Sequence, residues 1–276
     1  MAFRRSQGQL QAARRVGFAP PDQAQTCAVQ GLKTSQELFR LLRAIIFDFD
    51  GILVNSEPLI LKLTQEMAAK EGWTITEEEY YRDYLALDDR GIVEHLYRSH
   101  GRSVDHGRRD ELVDWKARAY WELIRDGLPP LPGAVEFVGK LAAQYPLAIA
   151  SGSFRVEIEH LLGKIGLREA FQVLVTADDV ERSKPEPDAF LKALHRLRQL
   201  PELGADAGKA ALDPANCLVI EDAPAGVRAA HAAGMKCLAL AHTRPLVELR
   251  HADWARRDFG EVDLEEIARA FQNSGE

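Results

Sequence analysis

Five short apolar runs recur along this chain, none broken by a polar residue: Ala44–Phe47, Leu147–Ala150, Val173–Val175, Leu218–Ile220 and Cys237–Leu240. A strand that is apolar at every position, rather than at every second one, has both faces buried. That is the property of strands in a parallel sheet with helices on either side. Helical patterns stand among the later runs, at Ala134–Gln144, Arg155–Ile165, Pro187–Leu197 and Ala225–Ala233. Strand alternating with helix specifies an α/β fold, a doubly wound parallel sheet with a Rossmann-like core.

The long interval between the first two runs holds no comparable strand. It reads instead as amphipathic helices at Leu59–Glu71, Thr76–Leu85, Asp89–His100 and Arg109–Arg125, punctuated by Gly72, Asp88, Gly101 and Gly127. The pattern implies a helical cap domain (59–129) inserted into an α/β core (44–58 plus 130–276). Linkers are expected near Asn55–Pro58 and Gly127–Gly133, the second stiffened by Pro129, Pro130 and Pro132. The stretch Gln199–Ala215 reads as a surface loop or short helix.

Residues 1–43 show no sustained periodicity apart from a short helix expected at Ser35–Leu42, and we read them as an unstructured N-terminal extension. Seven basic residues against two acidic ones give this segment a net +5, within a chain of net charge −7. The acidic remainder argues against a nucleic-acid partner. No apolar run approaches the roughly 20 residues needed to span a bilayer, so no membrane association is expected. Cys27, Cys217 and Cys237 are far apart and form no CxxC pair, which points to a reducing compartment rather than a disulfide or zinc framework. A cytoplasmic location follows, or an organelle if the extension is a transit peptide. A monomer or weak dimer is expected.

In open α/β sheets ligands bind beyond the carboxyl ends of the strands, and four of these ends carry polar residues. The first is Asp48-Phe49-Asp50-Gly51 and the second Ser151-Gly152-Ser153. The third leads through Asp178 and Asp179 to Lys184-Pro185, and the fourth is Glu221-Asp222. A carboxylate is a competent nucleophile toward phosphorus, and a second acid can protonate the leaving oxygen and then activate water. Further acids supply the oxygen ligands that Mg²⁺ prefers. Lysine, a serine hydroxyl and backbone N–H groups suit the phosphoryl oxygens. Each piece alone has a plain alternative: Ser-Gly-Ser as a turn, Lys-Pro-Glu-Pro as a helix start, Glu221-Asp222 as a helix cap. Their common order at strand ends makes coincidence improbable.

Four segments carry a family resemblance: Ile46–Glu57, Ala150–Ser153, Ser183–Asp188 and Val219–Val227 with the following Ala233-Gly234-Met235. Together they resemble the motifs of the haloacid dehalogenase-like hydrolase superfamily. The likeness is greatest to the branch of β-phosphoglucomutase-like and phosphoglycolate phosphatase-like enzymes with a small helical cap. The resemblance implies Asp48 as nucleophile and Mg²⁺ ligand, and Asp50 as general acid/base with its backbone carbonyl on the metal. It implies Ser151, Gly152 and Lys184 around the phosphoryl group. Asp222 would bind Mg²⁺ directly, and Glu221 directly or through water. The expected activity is a Mg²⁺-dependent phosphatase acting on a small phosphorylated metabolite, such as a sugar phosphate or phosphoglycolate-like acid, through an aspartyl-phosphate.

The alternatives are a phosphomutase of the β-phosphoglucomutase type and an inactive binding protein that keeps the fold and is tethered by its basic arm. Ile60 stands where a histidine assists closure in the resembling mutases, which favours a hydrolase. Asp50 argues against carbon–halogen cleavage, which needs no proton at a leaving oxygen. For substrate specificity the candidates are Arg90, in the cap turn Leu87–Gly91, and Arg155, after the second motif. Their plain alternatives are an exposed helix start and an exposed first-turn arginine. The histidines and the cap tryptophans are expected to be surface or packing residues.

Overall fold

The computed structural model describes residues 42–85, 87–201, 203 and 212–272. Nearly all of the N-terminal extension, its expected helix through Leu41, and most of the loop read at 199–215 therefore lie outside the described residues. Six strands form one sheet: β1 (Ala44–Phe47), β2 (Leu147–Ala150), β3 (Val173–Val175), β4 (Cys217–Glu221), β5 (Lys236–Leu240) and β6 (Trp254–Arg256). All pairings are parallel, in the order β3-β2-β1-β4-β5-β6. The chain winds outward from β1 through β2 to β3, then crosses back to β4 and winds the other way. The order reverses between β1 and β4, where an open sheet leaves a crevice at its carboxyl edge.

The uninterrupted apolar strands follow from coverage on both faces. Ile45 and Phe47 point into one core with Leu147, Ile149, Leu218 and Ile220, while Ala44 and Ile46 point into the other with Ala148, Ala150 and Val219. The first face is covered by α5 (Ala134–Ala142), α6 (Arg155–Lys164) and α9 (Leu264–Gln272). The second is covered by α7 (Asp188–Leu197) and α8 (Pro224–Ala232). Each large aliphatic side chain buried this way contributes about 1.5–3 kcal/mol. Leu42, two residues ahead of β1, is also buried in the first core.

Between β1 and β2 run α1 (Glu57–Lys70), α2 (Glu77–Glu79), α3 (Asp89–Ser99) and α4 (His106–Ile124). Met67, Tyr80, Tyr84, Ile92, Leu96 and Leu112 give this insertion a core of its own, while Leu63, Tyr120 and Ile124 join the core of the sheet. Asp88 and Asp105 cap α3 and α4 by accepting from the backbone N–H groups of Gly91 and Arg108. The helix expected at Thr76–Leu85 becomes α2 followed by a π-helical turn over Tyr80–Tyr84. Trp73 stacks on His100 at 4.3 Å and meets Tyr97 edge-on, which makes it a packing residue, as expected. No helix among the described residues is long and apolar enough to cross a membrane.

Candidate active site

The backbone N–H of Asp48 donates to the carbonyl of Ile220 at 2.8 Å, extending the β1–β4 pairing one residue past the strand. The Asp48 side chain thereby stands beside the end of β4, where Glu221 and Asp222 lie. One carboxylate oxygen from each of the three acids falls within 4.8 Å of the others. All three are buried.

Two glycines make this proximity possible. Gly51 has φ of 73°, and a Cβ there would stand 1.9 Å from Oδ2 of Asp222. A Cβ on Gly226, in the first turn of α8, would stand 1.8 Å from Oε1 of Glu221. The Glu221 carboxylate folds back over its own chain, its Oε2 accepting from the N–H groups of Asp222 at 2.9 Å and Ala223 at 3.1 Å.

Lys184 supplies the counter-charge. Its Nζ donates to Oδ1 of Asp48 and to Oε1 of Glu221, both at 2.7 Å. Burial is the largest influence on Asp48, Asp222 and Lys184. It raises the Asp48 carboxyl to about 7 against the pull of Lys184, with the charge of Glu221 adding to the rise. It also lifts Asp222 well above the usual range, reinforced by Glu221 and Asp48. For Lys184 burial acts downward, but Asp48 and Glu221 outweigh it and leave the ammonium above its ordinary value.

Asp50 is held on both carboxylate oxygens by hydroxyls: Ser56 donates to Oδ1 and Ser153 to Oδ2, the latter at 2.5 Å. Burial raises this carboxyl, and the two hydroxyls partly counter the rise. The N–H of Ser151 donates to the carbonyl of Val175 at 3.0 Å, which sets the Ser-Gly-Ser turn at the end of β2. The space above Gly152 is open, with nothing within 4 Å of where a Cβ would be.

The structure thus gathers Asp48, Glu221, Asp222 and Lys184 into one bonded cluster, with Asp50 and Ser151 on the adjoining turns. The two arginines are placed differently. Arg90 is exposed on the first turn of α3, where the neighbouring Asp89 pairs instead with the buried Lys116. Arg155 donates to Asp179 at 2.8 Å and to the carbonyl of Leu174. Neither is bonded to the cluster.

Several contacts were not anticipated. Ser56 and Ser153 lie inside the first and second motifs, outside the strand-end residues that the chemistry singles out. Thr243 donates to Oδ2 of Asp222, and Nδ1 of His242 lies 2.9 Å from the carbonyl of Gly51. These two follow the carboxyl end of β5, so the strand-end rule would have found them had it been carried to the fifth strand. Glu57 accepts from the hydroxyl of Tyr80 at 2.5 Å, beside Asp50.

Fold and site together define a doubly wound α/β enzyme with its acids at the reversal of strand order. Residues 45–240 match the family model for haloacid dehalogenase-like hydrolases, and the chain belongs to that family. It is 28% identical over 234 residues to the validoxylamine A 7'-phosphate phosphatase of Streptomyces hygroscopicus subsp. limoneus, covering 80% of this chain and 96% of the relative. It is 30% identical to the protein CbbY of Rhodobacter capsulatus, covering 82% and 96%. The β-phosphoglucomutase of Clostridium difficile shares the fold with a TM-score of 0.72 at 19% identity, over 84% of this chain and 98% of that one. CbbY of Rhodobacter sphaeroides, solved with phosphate, superposes with a TM-score of 0.65 at 26% identity, over 80% and 96%. The resemblance to the β-phosphoglucomutase-like and phosphoglycolate phosphatase-like branch is borne out. So is the expectation of a phosphoric monoester hydrolase, matched by relatives that carry phosphatase names.

Proposed function

We propose that this chain is a Mg²⁺-dependent phosphatase that hydrolyses a small phosphate monoester, a sugar phosphate or phosphoglycolate-like acid, through an aspartyl-phosphate on Asp48. The observation that carries this reading is the buried cluster in which Lys184 bridges Asp48 and Glu221 at 2.7 Å beside Asp222. Three buried carboxylates share a single ammonium, a donor set that suits a hard divalent cation. Asp48, Glu221, Asp222 and the backbone carbonyl of Asp50 would hold Mg²⁺. When bound, the ion neutralises phosphoryl and carboxylate charge.

The chain's own residues account for the rest. Lys184, Ser151 and the N–H groups around Gly152 orient the phosphoryl group against Asp48. An oxygen of Asp48 forms the new bond to phosphorus as the bond to the leaving oxygen breaks, and Asp50 gives that oxygen its proton. Asp50, then ionised, takes a proton from water, whose oxygen attacks phosphorus and frees Asp48 with release of inorganic phosphate. The raised Asp50 carboxyl and its two hydroxyl partners suit a group that must hold a proton and keep its aim. Ile60 packs half-buried between the two apolar cores, which supports a hydrolase over a mutase relying on histidine at that place.

The test is phosphate release from a panel of small phosphate esters, with and without Mg²⁺, for the wild type and Asp48→Asn. Mg²⁺-dependent release that is lost in a well-folded Asp48→Asn supports the mechanism. Full activity in that variant refutes it. Isomerisation of a β-sugar 1-phosphate with its bisphosphate activator, without phosphate release, would favour the mutase.

A further inference from the structure

The loop after β5 lies outside the four motifs yet is built into the site. Thr243 is bonded to Asp222, and His242 to the carbonyl of Gly51. One anchor on the acid cluster and one on the Gly51 turn give the next residue, Arg244, a defined place. Arg244 is half-buried, and its guanidinium lies 5.6 Å from the ring centroid of Tyr81, on the π-helical turn of the insertion. It also stands within electrostatic reach of Glu57, at the start of α1, and Glu57 in turn senses Asp50. Arg244 is therefore a core residue that faces the insertion across the mouth of the site, on the side where Asp50 stands.

The other cations nearby are already committed. Lys184 is held by Asp48 and Glu221, Lys116 by Asp89, and Arg155 by Asp179. Among the described residues Arg244 has the Tyr81 ring beside it but no ion pair and no hydrogen bond. The carboxylate of Glu57 is engaged by the hydroxyl of Tyr80. A ring face attracts a guanidinium but accepts none of its directed N–H donors in the plane of the fork.

We propose that Arg244 is a specificity-determining residue that binds an oxyanion, a carboxylate or a second phosphate, on the leaving group of the substrate. The proposal rests on the phosphatase reading above. A leaving group in line with Asp48 and protonated by Asp50 would lie on the Asp50 side of the site, and Glu57, within electrostatic reach of both Asp50 and Arg244, marks that direction. The planar fork of a guanidinium fits carboxylate or phosphate oxygens with two parallel hydrogen bonds. A neutral hydroxyl would accept one bond and leave the charge unbalanced.

The test compares the full-length wild type with Arg244→Gln and Arg244→Lys, in Mg²⁺, on four esters. 2-Phosphoglycolate carries a carboxylate and fructose 1,6-bisphosphate a second phosphate. Glycerol 1-phosphate and p-nitrophenyl phosphate carry no second anion. We expect the wild type to favour one of the first two, and which one identifies the source of the oxyanion. Arg244→Gln should lower kcat/KM on that ester by roughly tenfold or more, mainly through KM, and by much less on the neutral pair. Arg244→Lys should recover part of the loss. An equal loss on all four esters would overturn the proposal. Arg244 would then only hold the insertion through Tyr81, and Tyr81→Leu would reproduce the same uniform loss. A wild-type preference for the neutral esters, or no change in Arg244→Gln, would overturn it too. If the wild type hydrolyses none of the four, the phosphatase reading fails first, at a step no Arg244 variant enters.

Discussion

Nζ of Lys184 stands 2.7 Å from Oδ1 of Asp48, so the candidate nucleophile carries a built-in counter-ion drawn from a loop far along the chain. The same ammonium serves Glu221, whose side chain is almost wholly buried. Removing it would leave two buried carboxyl groups with no cation between them.

Lys184→Met tests that dependence. In EDTA the variant is expected to lose about 3–5 kcal/mol of stability, the cost of leaving buried charge unpaired. Added Mg²⁺ should stabilise the variant more than it stabilises the wild type, because the ion then supplies the only positive charge at the cluster. Urea denaturation with and without Mg²⁺ measures both differences. Equal stability of variant and wild type in EDTA would show that the pair contributes nothing.

Gly226→Ala is expected to act through Glu221. Alanine is favoured over glycine inside a helix by about 1 kcal/mol, so propensity alone predicts a gain. The Cβ would nevertheless meet Oε1 of Glu221 at 1.8 Å and its Cδ at 1.9 Å, which forces the carboxylate to move. We expect roughly tenfold weaker Mg²⁺ binding and a stability loss of about 1–3 kcal/mol. Gly139→Ala is the control, since it lies within α5 with nothing within 4 Å of the added methyl. Calorimetric Mg²⁺ titration and thermal melts of both variants decide the point.

Much of this architecture was legible in the sequence because burial on both faces removes the ambiguity of a short apolar run. Ala44–Phe47 and Leu147–Ala150 are strands at the positions the pattern gave. Trp254–Arg256 escaped notice because an edge strand of three residues pairs on one side only. Its Ala255 and Arg256 remain half-exposed, so nothing compels them to be apolar. Asp48, Glu221 and Asp222 were legible since each sits at a strand end, and Lys184 because the loop leaving β3 leads to it. The bonds from Thr243 to Asp222 and from Arg155 to Asp179 join loops well separated along the chain. No local spacing encodes them. They exist because the sheet order sets β5 beside β4 and β3 beside β2.

Stability should depend on pH in a direction fixed by Asp48. In the unfolded chain this carboxyl ionises near 3.8, whereas burial holds it at about 7 in the fold. Between those values the folded protein keeps a proton that the unfolded chain has lost, so each rise in pH favours unfolding. Asp50 and Asp222 are shifted in the same direction and add to the trend. In EDTA the wild type should therefore lose stability relative to Asp48→Asn as pH climbs from about 4 to about 7, with the difference levelling off above that. Denaturation curves of the two proteins at stepped pH provide the comparison. A difference that stays flat or moves the other way would show that burial does not govern this carboxyl.

Asp50→Asn separates the proton-transfer steps by the quality of the leaving group. Ser56 and Ser153 donate to the two oxygens of Asp50; the amide keeps its place once one hydroxyl turns to accept from its NH₂, but it cannot give or take the proton. An alkyl phosphate expels a strongly basic alkoxide, so its cleavage should slow by about 10²–10⁴-fold. p-Nitrophenolate leaves without help, so Asp48 should still be phosphorylated by p-nitrophenyl phosphate at a rate close to that of the wild type. Breakdown of the phosphorylated enzyme also needs Asp50 as a base and should become the slow step. Rapid mixing of the variant with p-nitrophenyl phosphate should then show one equivalent of p-nitrophenol released in a burst, followed by slow turnover. Phosphate should be trapped on Asp48 during that slow phase. A uniform slowing on both esters with no burst would remove Asp50 from the proton transfer and leave it a positioning residue.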